Sequence, residues 1–255
     1  MKTKHLLLSA ALGLTMASSH AQLIVNDFNT SITENFSGFT GTGFSPTPAV
    51  GQLDSNTWRV TGMSDGNGVF GGTHTIGDFA RGTSTGGVTT GGTYAFDVGG
   101  GSTIIGFQPA GSDFTPGTLT ARLENNTGGV ISQLNISYNI YTYNDQGRAN
   151  SFNFAYSSDD LGYTSVPALD YTTPEAADGS PAWVLVNRST SLTGLSILNG
   201  DNFYLQWQSD DVSGGGSRDE FGLTNLSITA IPEPGTLALL GLSGLTLYLM
   251  RRRKR

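Results

Sequence analysis

Three carboxylate pairs, a set of tyrosines and one imidazole are the groups in residues 22–230 that could do chemistry. Asp159-Asp160 and Asp210-Asp211 each close an alternating strand pattern and enter a turn, and Asp219-Glu220 stands across the Ser213-Gly214-Gly215-Gly216-Ser217 loop from the second pair. Hard oxygen ligands gathered on loops suit calcium, and the ion would offset their repulsion, so Asp210, Asp211, Asp219 and Glu220 are the expected ligands if calcium is a cofactor. Aspartate also favours turns without any ion, and the EF-hand spacing is absent. Two carboxylates flanking a glycosidic bond would make a glycoside hydrolase, a reading that depends on their separation in space. Tyr141, Tyr143, Tyr163, Tyr171 and Tyr204 could stack on sugar rings, or pack across strands as sheet residues commonly do.

Several chemistries are excluded. With no cysteine there is no disulfide scaffold, thiol nucleophile or cysteine-ligated metal. His74 is the one histidine of residues 22–230, and no G-x-S-x-G motif marks a serine to pair with it, so no catalytic constellation emerges. Gly66-Asn67-Gly68-Val69-Phe70-Gly71 matches G-x-G-x-x-G, but Gly72-Thr73-His74-Thr75 follows it where a nucleotide site requires a helix N-terminus. Lysine is missing from residues 22–230, which rules out a P-loop. That stretch holds 19 carboxylates against six arginines, a net charge of −13, which repels nucleic acid and anionic lipid.

The elements that must position these groups read as strands. Leu134, Ile136, Tyr138 and Ile140 alternate with Asn135, Ser137 and Asn139, the period of two of a sheet with one buried face. The apolar parity then passes to Tyr141 and Tyr143, which predicts a β-bulge or a strand buried on both faces near residue 140. Leu119, Ala121 and Leu123; Phe152, Phe154 and Tyr156; Phe203, Leu205 and Trp207; Tyr94, Phe96 and Val98; and Leu226 with Ile228 repeat the alternation. Trp183 to Val186 reads as a more fully buried strand. Glycine, asparagine, aspartate, serine and proline turns separate these runs, and no capped helical period interrupts them. The expected fold is all-β, a single sandwich domain over 22–230. Its part 62–111, with 16 of the 36 glycines, supplies loop-rich strands that pack on the cleaner strands of 117–230.

The two ends read as addresses. Lys2 and Lys4, the apolar stretch Leu6 to Ala17 and Ser19-His20-Ala21 form a secretory signal peptide over 1–21, to be cut by signal peptidase between Ala21 and Gln22. At the other end Ile231-Pro232-Glu233-Pro234-Gly235 precedes an apolar run to Met250, followed by Arg251, Arg252, Arg253, Lys254 and Arg255. A helix over 231–250 would be about 30 Å long, enough to cross hydrocarbon, with the cations acting as a stop-transfer on the cytoplasmic side. The two prolines should hold the junction extended and accessible at the membrane surface.

Pro232-Glu233-Pro234, the Gly/Leu-rich span and the terminal arginines resemble the PEP-CTERM sorting signal of Gram-negative bacteria. The resemblance covers 231–255 and implies processing by exosortase, a membrane enzyme, with Pro232, Glu233 and Pro234 as recognition residues. It implies a protein of the cell envelope, surface or extracellular matrix, transiently held in the inner membrane and associated with exopolysaccharide and biofilm. A simple C-terminal anchor is the other reading of the same residues. More loosely, Leu119 to Gly128, Phe152 to Ser157, Leu205 to Asp211 and Asp219 to Leu223 resemble a jelly-roll module frequent in such carriers, though Thr224 and Asn225 stand where aspartate is usual. The expected function is therefore that of a non-enzymatic matrix protein, with a calcium-dependent carbohydrate-binding module as the alternative and a glycosidase behind it.

Overall fold

Period-two alternation in the sequence becomes, in space, two sheets packed face to face. The computed structural model describes residues 23–233. The signal peptide over 1–21, the Ala21/Gln22 cut, Pro234, the apolar run after it and the stop-transfer residues Arg251, Arg252, Arg253, Lys254 and Arg255 lie outside the described residues. The strands are β1 (Leu23–Val25), β2 (Ser31–Glu34), β3 (Phe44–Ser45), β4 (Leu53–Asp54), β5 (Trp58–Thr61), β6 (Thr83–Ser84), β7 (Gly92–Asp97), β8 (Thr103–Gln108) and β9 (Gly117–Asn125). They continue with β10 (Ile131–Tyr143), β11 (Arg148–Asn150), β12 (Asn153–Ser157), β13 (Thr164–Ser165), β14 (Trp183–Ile197), β15 (Asn202–Ser209), β16 (Asp211–Gly214) and β17 (Glu220–Pro232). Two short 3-10 turns, Gly77–Phe79 and Pro167–Leu169, are the helical elements among the described residues.

The first sheet runs β1-β9-β15-β12-β13, with β5 also paired to β9; the second runs β14-β10-β17-β8-β7-β6, with β2 also paired to β17. The strands of residues 62–111 thus join the second sheet. Inward residues of both sheets meet in one core, where Trp207 stands edge-on to Tyr138 at 5.4 Å and Phe154 packs on Trp207 at the same distance. Each such buried side chain contributes ~1.5–3 kcal/mol of transfer free energy. All-β architecture and sandwich packing are as the alternation predicts.

Of the two anticipated causes of the parity change near residue 140, burial on both faces is the one that applies: β10 keeps its alternation, with Ile140 and Thr142 still turned inward, and the bulge lies in its partner. Opposite Ser137 and Asn139, β17 supplies an extra residue: the register passes from Ser137↔Ser227 to Asn139↔Thr224, with Asn225 in the left-handed region at φ 51°. Beyond it, β10 is covered on its outer face too, because Tyr141 packs on a second cluster built from Tyr94, Phe96 and Ile104. Gly106 makes room for that cluster, since a Cβ there would stand 2.2 Å from the Phe96 ring.

One strand differs from expectation. Trp183 to Val186 opens β14, the edge of the second sheet, where Val184 is 51% and Leu185 45% exposed. An unbroken apolar run signals burial on both faces only where other layers cover both, and β14, with a partner on one side alone, leaves these side chains largely in solvent.

Candidate functional site

The outer face of the second sheet opens into a groove at the end where β10 finishes and β14 begins. Antiparallel pairing sets Tyr143 opposite Trp183, and their rings lie 5.3 Å apart at 51°. Phe96 supports the indole from below at 5.1 Å. The groove encloses about 420 Å³ between Thr85, Asp97, Val98, Gly99, Tyr143, Ala182 and Trp183. A second hollow of about 610 Å³ shares Thr85 and Asp97 with it and continues along β6 and β8. The polar groups at its rim are the exposed Asp97, whose Oδ1 accepts the Gly99 N–H at 2.9 Å, and the threonine hydroxyls.

A glycine-rich segment between β6 and β7 forms one wall. The Trp183 indole N–H donates to the Thr85 carbonyl at 2.8 Å, which fixes the ring plane. Gly86 then lies flat against Tyr143: a Cβ there would stand 3.1 Å from the ring, and its φ of 110° suits glycine. Farther along, the Tyr94 hydroxyl donates to the Thr90 carbonyl and Arg81 Nε–H to the Gly91 carbonyl, both at 2.8 Å. The Val88 N–H donates to Glu220 Oε1 at 2.5 Å. Glu220 is fully buried, and burial, reinforced by the neighbouring Asp145 carboxylate, pushes its carboxyl up to about 8.

The four carboxylates of the calcium reading fall into two groups, Asp211 among arginines and Asp219 with Glu220 beside Asp145. Asp210 is exposed and its Oδ1 accepts the Asp211 N–H. Asp211 is held by two arginines, Arg148 and Arg218, each at 2.7 Å; although partial burial opposes it, these cations keep its carboxyl below the usual range. Asp219 precedes β17 and Glu220 opens it; the two lie near one further carboxylate, Asp145. Asp219 accepts the Gln146 N–H at 3.0 Å, and burial pushes its carboxyl up to about 6. Among the described residues no three histidine, aspartate or glutamate side chains gather as metal ligands.

The remaining tyrosines are distributed over three settings. Tyr171 is half-buried, with its hydroxyl bonded to Thr142 and Arg188 over its ring. Tyr163 and Tyr204 lie on the outer face of the first sheet. There Phe70, from the G-x-G-x-x-G segment, sits 5.9 Å from Tyr204 and beneath both Arg59 (4.5 Å) and Arg122 (5.0 Å). Asp160 clamps Arg59 with two bonds of 2.6 and 2.7 Å and accepts the Tyr163 hydroxyl. Burial opposes ionisation of Asp160, but these donors outweigh it and hold the carboxyl below its ordinary value. His74 serves the loops: its Nε2 accepts the Val69 N–H and its ring packs on Phe79 at 4.8 Å.

Sequence reasoning named Tyr143 but missed Trp183, Thr85 and Asp97 as groove residues. The sequence signal that could have found them is the glycine-rich run Gly86-Gly87-Val88-Thr89-Thr90-Gly91-Gly92, a length of chain able to lie flat on an aromatic ring.

Residues 230–254 match the PEP-CTERM protein-sorting motif. The chain carries a PEP-CTERM sorting signal. This signal marks an exported protein of the Gram-negative cell envelope, handled by exosortase. Among curated proteins none matches the chain. Solved structures with a related strand arrangement include the CBM22-1 xylan-binding domain of Paenibacillus barcinonensis Xyn10C, 9% identical over 82% of this chain and 98% of that one, TM-score 0.37. Another is the K1 cleaved adhesin domain of Lys-gingipain from Porphyromonas gingivalis W83, 14% identical over 79% of this chain and 98% of that one, TM-score 0.37. Overlaps this loose assign no ligand.

The sorting motif begins inside the sandwich. Ile231 and Pro232 are the last residues of β17 and pair with Gln133 and Ile131, so these two residues are strand where the sequence suggested the start of a helix; Glu233 is exposed beyond them. Tyr143 and Ile131 close opposite ends of the 13-residue β10, which spans ~40 Å. The groove and the sorting signal therefore occupy opposite ends of the body.

Among the described residues no helix is long and apolar enough to cross a membrane.

Proposed function

We propose that this protein is held at the cell surface or in the extracellular matrix and binds exopolysaccharide through the Trp183–Tyr143 groove without cleaving it. The observation that supports this reading is an open groove edged by two aromatic rings, one of them fixed in plane by its hydrogen bond to Thr85. Flat rings offer large contact area at little conformational cost, and the apolar C–H face of a sugar fits against them. Threonine hydroxyls and Asp97 at the rim would orient sugar hydroxyls. Glycoside hydrolysis calls for two carboxylates flanking the bond. The groove is lined by one, Asp97, while Glu220 lies buried beneath the wall.

Signal peptidase would remove 1–21 and exosortase would act at Pro232-Glu233-Pro234 while the apolar tail holds the protein in the inner membrane. With the groove at the far end of β10, the body would present it away from that membrane. The decisive experiment measures retention of the processed protein on polysaccharide isolated from its host, alongside release of reducing sugar. Retention that is lost in Trp183→Ala, without sugar release, is expected; retention unaffected by that substitution overturns the reading. Alanines at Pro232, Glu233 and Pro234 should leave an unprocessed membrane-held form, and unchanged processing would overturn the sorting part.

A further inference from the structure

We propose that the groove is the aromatic end of a longer track, and that its ligand is an extended, uncharged glycan lying along β10 and β14. This rests on the groove reading and specifies its ligand class. Outward residues of the two strands come in register as rungs. Next to Tyr143/Trp183 lies Tyr141/Leu185, where Tyr141 leans on the second cluster and Leu185 is the exposed member; then come Asn139/Asn187 and Ser137/Ser189. The face thus changes from aromatic to apolar to amide to hydroxyl along one line. Where the hydroxyl rungs continue, the surface sinks again into a hollow of about 320 Å³ lined by Asn135, Ser137, Ser189, Ser191, Ser227 and Thr229. From Trp183 to Ser189 the track measures ~20 Å at ~3.4 Å per residue, longer than a disaccharide requires.

Two features select the ligand's chemistry. Amides and hydroxyls both donate and accept, as sugar hydroxyls do, and several here are already oriented. Asn135 Oδ1, for example, accepts from Gln133 Nε2 and from the Ser191 hydroxyl, both at 2.7 Å, which leaves its two N–H donors for a ligand. The rungs from Tyr143/Trp183 to Asn135/Ser191 carry no ionisable side chain other than the tyrosines, in a body whose net charge is −13. A polyuronate would meet long-range repulsion and find no cation on this track, whereas a neutral chain meets neither obstacle.

The test titrates the processed protein with cellobiose, cellohexaose and a hexameric polyuronate, and repeats this with Trp183→Ala and with the double variant Asn187→Ala/Ser189→Ala, both exposed strand positions. The neutral hexamer should bind roughly tenfold tighter than the dimer, and the double variant should abolish that advantage while leaving dimer affinity unchanged. Equal affinity for dimer and hexamer, with binding still dependent on Trp183, would overturn the extension and spare the groove. Insensitivity of both sugars to Trp183→Ala, or no binding of either, would overturn the groove reading and the track with it. Tighter binding of the polyuronate would overturn the claim of an uncharged ligand.

Discussion

The two sheets each display aromatic rings on their outer faces, yet the rings are used differently. On the first sheet Phe70 is covered by Arg59 and Arg122, and Asp160 and Tyr163 close the cluster from the other side. On the second, Tyr143 and Trp183 are fastened by their edges and backs, to Gly86, Thr85 and Phe96, so the cleft between them and Asp97 stays open. The same residue types thus make a loop anchor in one place and a binding surface in the other. What separates them is whether a cation occupies the ring face, as it does over Phe70.

Exchanging the perturbation between the two regions should give the largest contrast. Trp183→Ala is expected to weaken polysaccharide binding by about 2 kcal/mol or more, as truncation of a central aromatic contact does, with a modest loss of stability. Phe70→Ala should do the reverse, lowering the melting temperature while affinity is unchanged; an affinity loss as large as that of Trp183→Ala would mean that the first sheet also binds ligand.

Breaking the anchor's ion pair comes next. Asp160→Asn leaves the Arg59 guanidinium, 18% exposed, without its counter-charge and should cost about 1–3 kcal/mol in denaturant unfolding. Because the folded carboxyl lies below its unfolded value near ~3.9, the wild-type advantage is present above that pH and is lost as pH falls through the lower folded value. A wild type and variant of equal stability at neutral pH would contradict the anchor role.

Glu220 tests the groove wall. Its folded carboxyl is raised to about 8 against an unfolded ~4.3, so the native state holds a proton that the unfolded chain releases. The stability associated with the neutral form is fully present below ~4.3 and declines as pH rises through about 8. Glu220→Gln should flatten that alkaline decline in melting temperature, with the gap between the proteins widest above pH 8. An unchanged slope would mean that the carboxyl does not titrate in this range. Smallest of all is the effect of a chelator. The groove holds one carboxylate, so removal of divalent ions should leave polysaccharide binding unaltered; loss of binding in chelator, restored by calcium, would revive the ion as a ligand bridge.

Much of the fold was legible because alternation is a local property. Leu134, Ile136, Tyr138 and Ile140 face the core wherever β10 lies in the sandwich, since the period of two follows from the pleat. The charge balance, the missing cysteine and lysine chemistry and the sorting signal are likewise local facts, readable without coordinates. Pairing was not. Whether Trp183 would be core or rim depended on β14 lying at a sheet edge, and whether Asp219 and Glu220 would meet another carboxylate depended on the fold bringing Asp145 to them. Nor does any local pattern say that a glycine run will lie on Tyr143 or that Arg59 and Arg122 will shield Phe70, because those contacts join segments that no local period relates. The sequence by itself determined the class of fold, the sign of the surface charge and the sorting destination. Tertiary structure alone decided which rings remained open to a ligand, since exposure results from which distant segment covers which face.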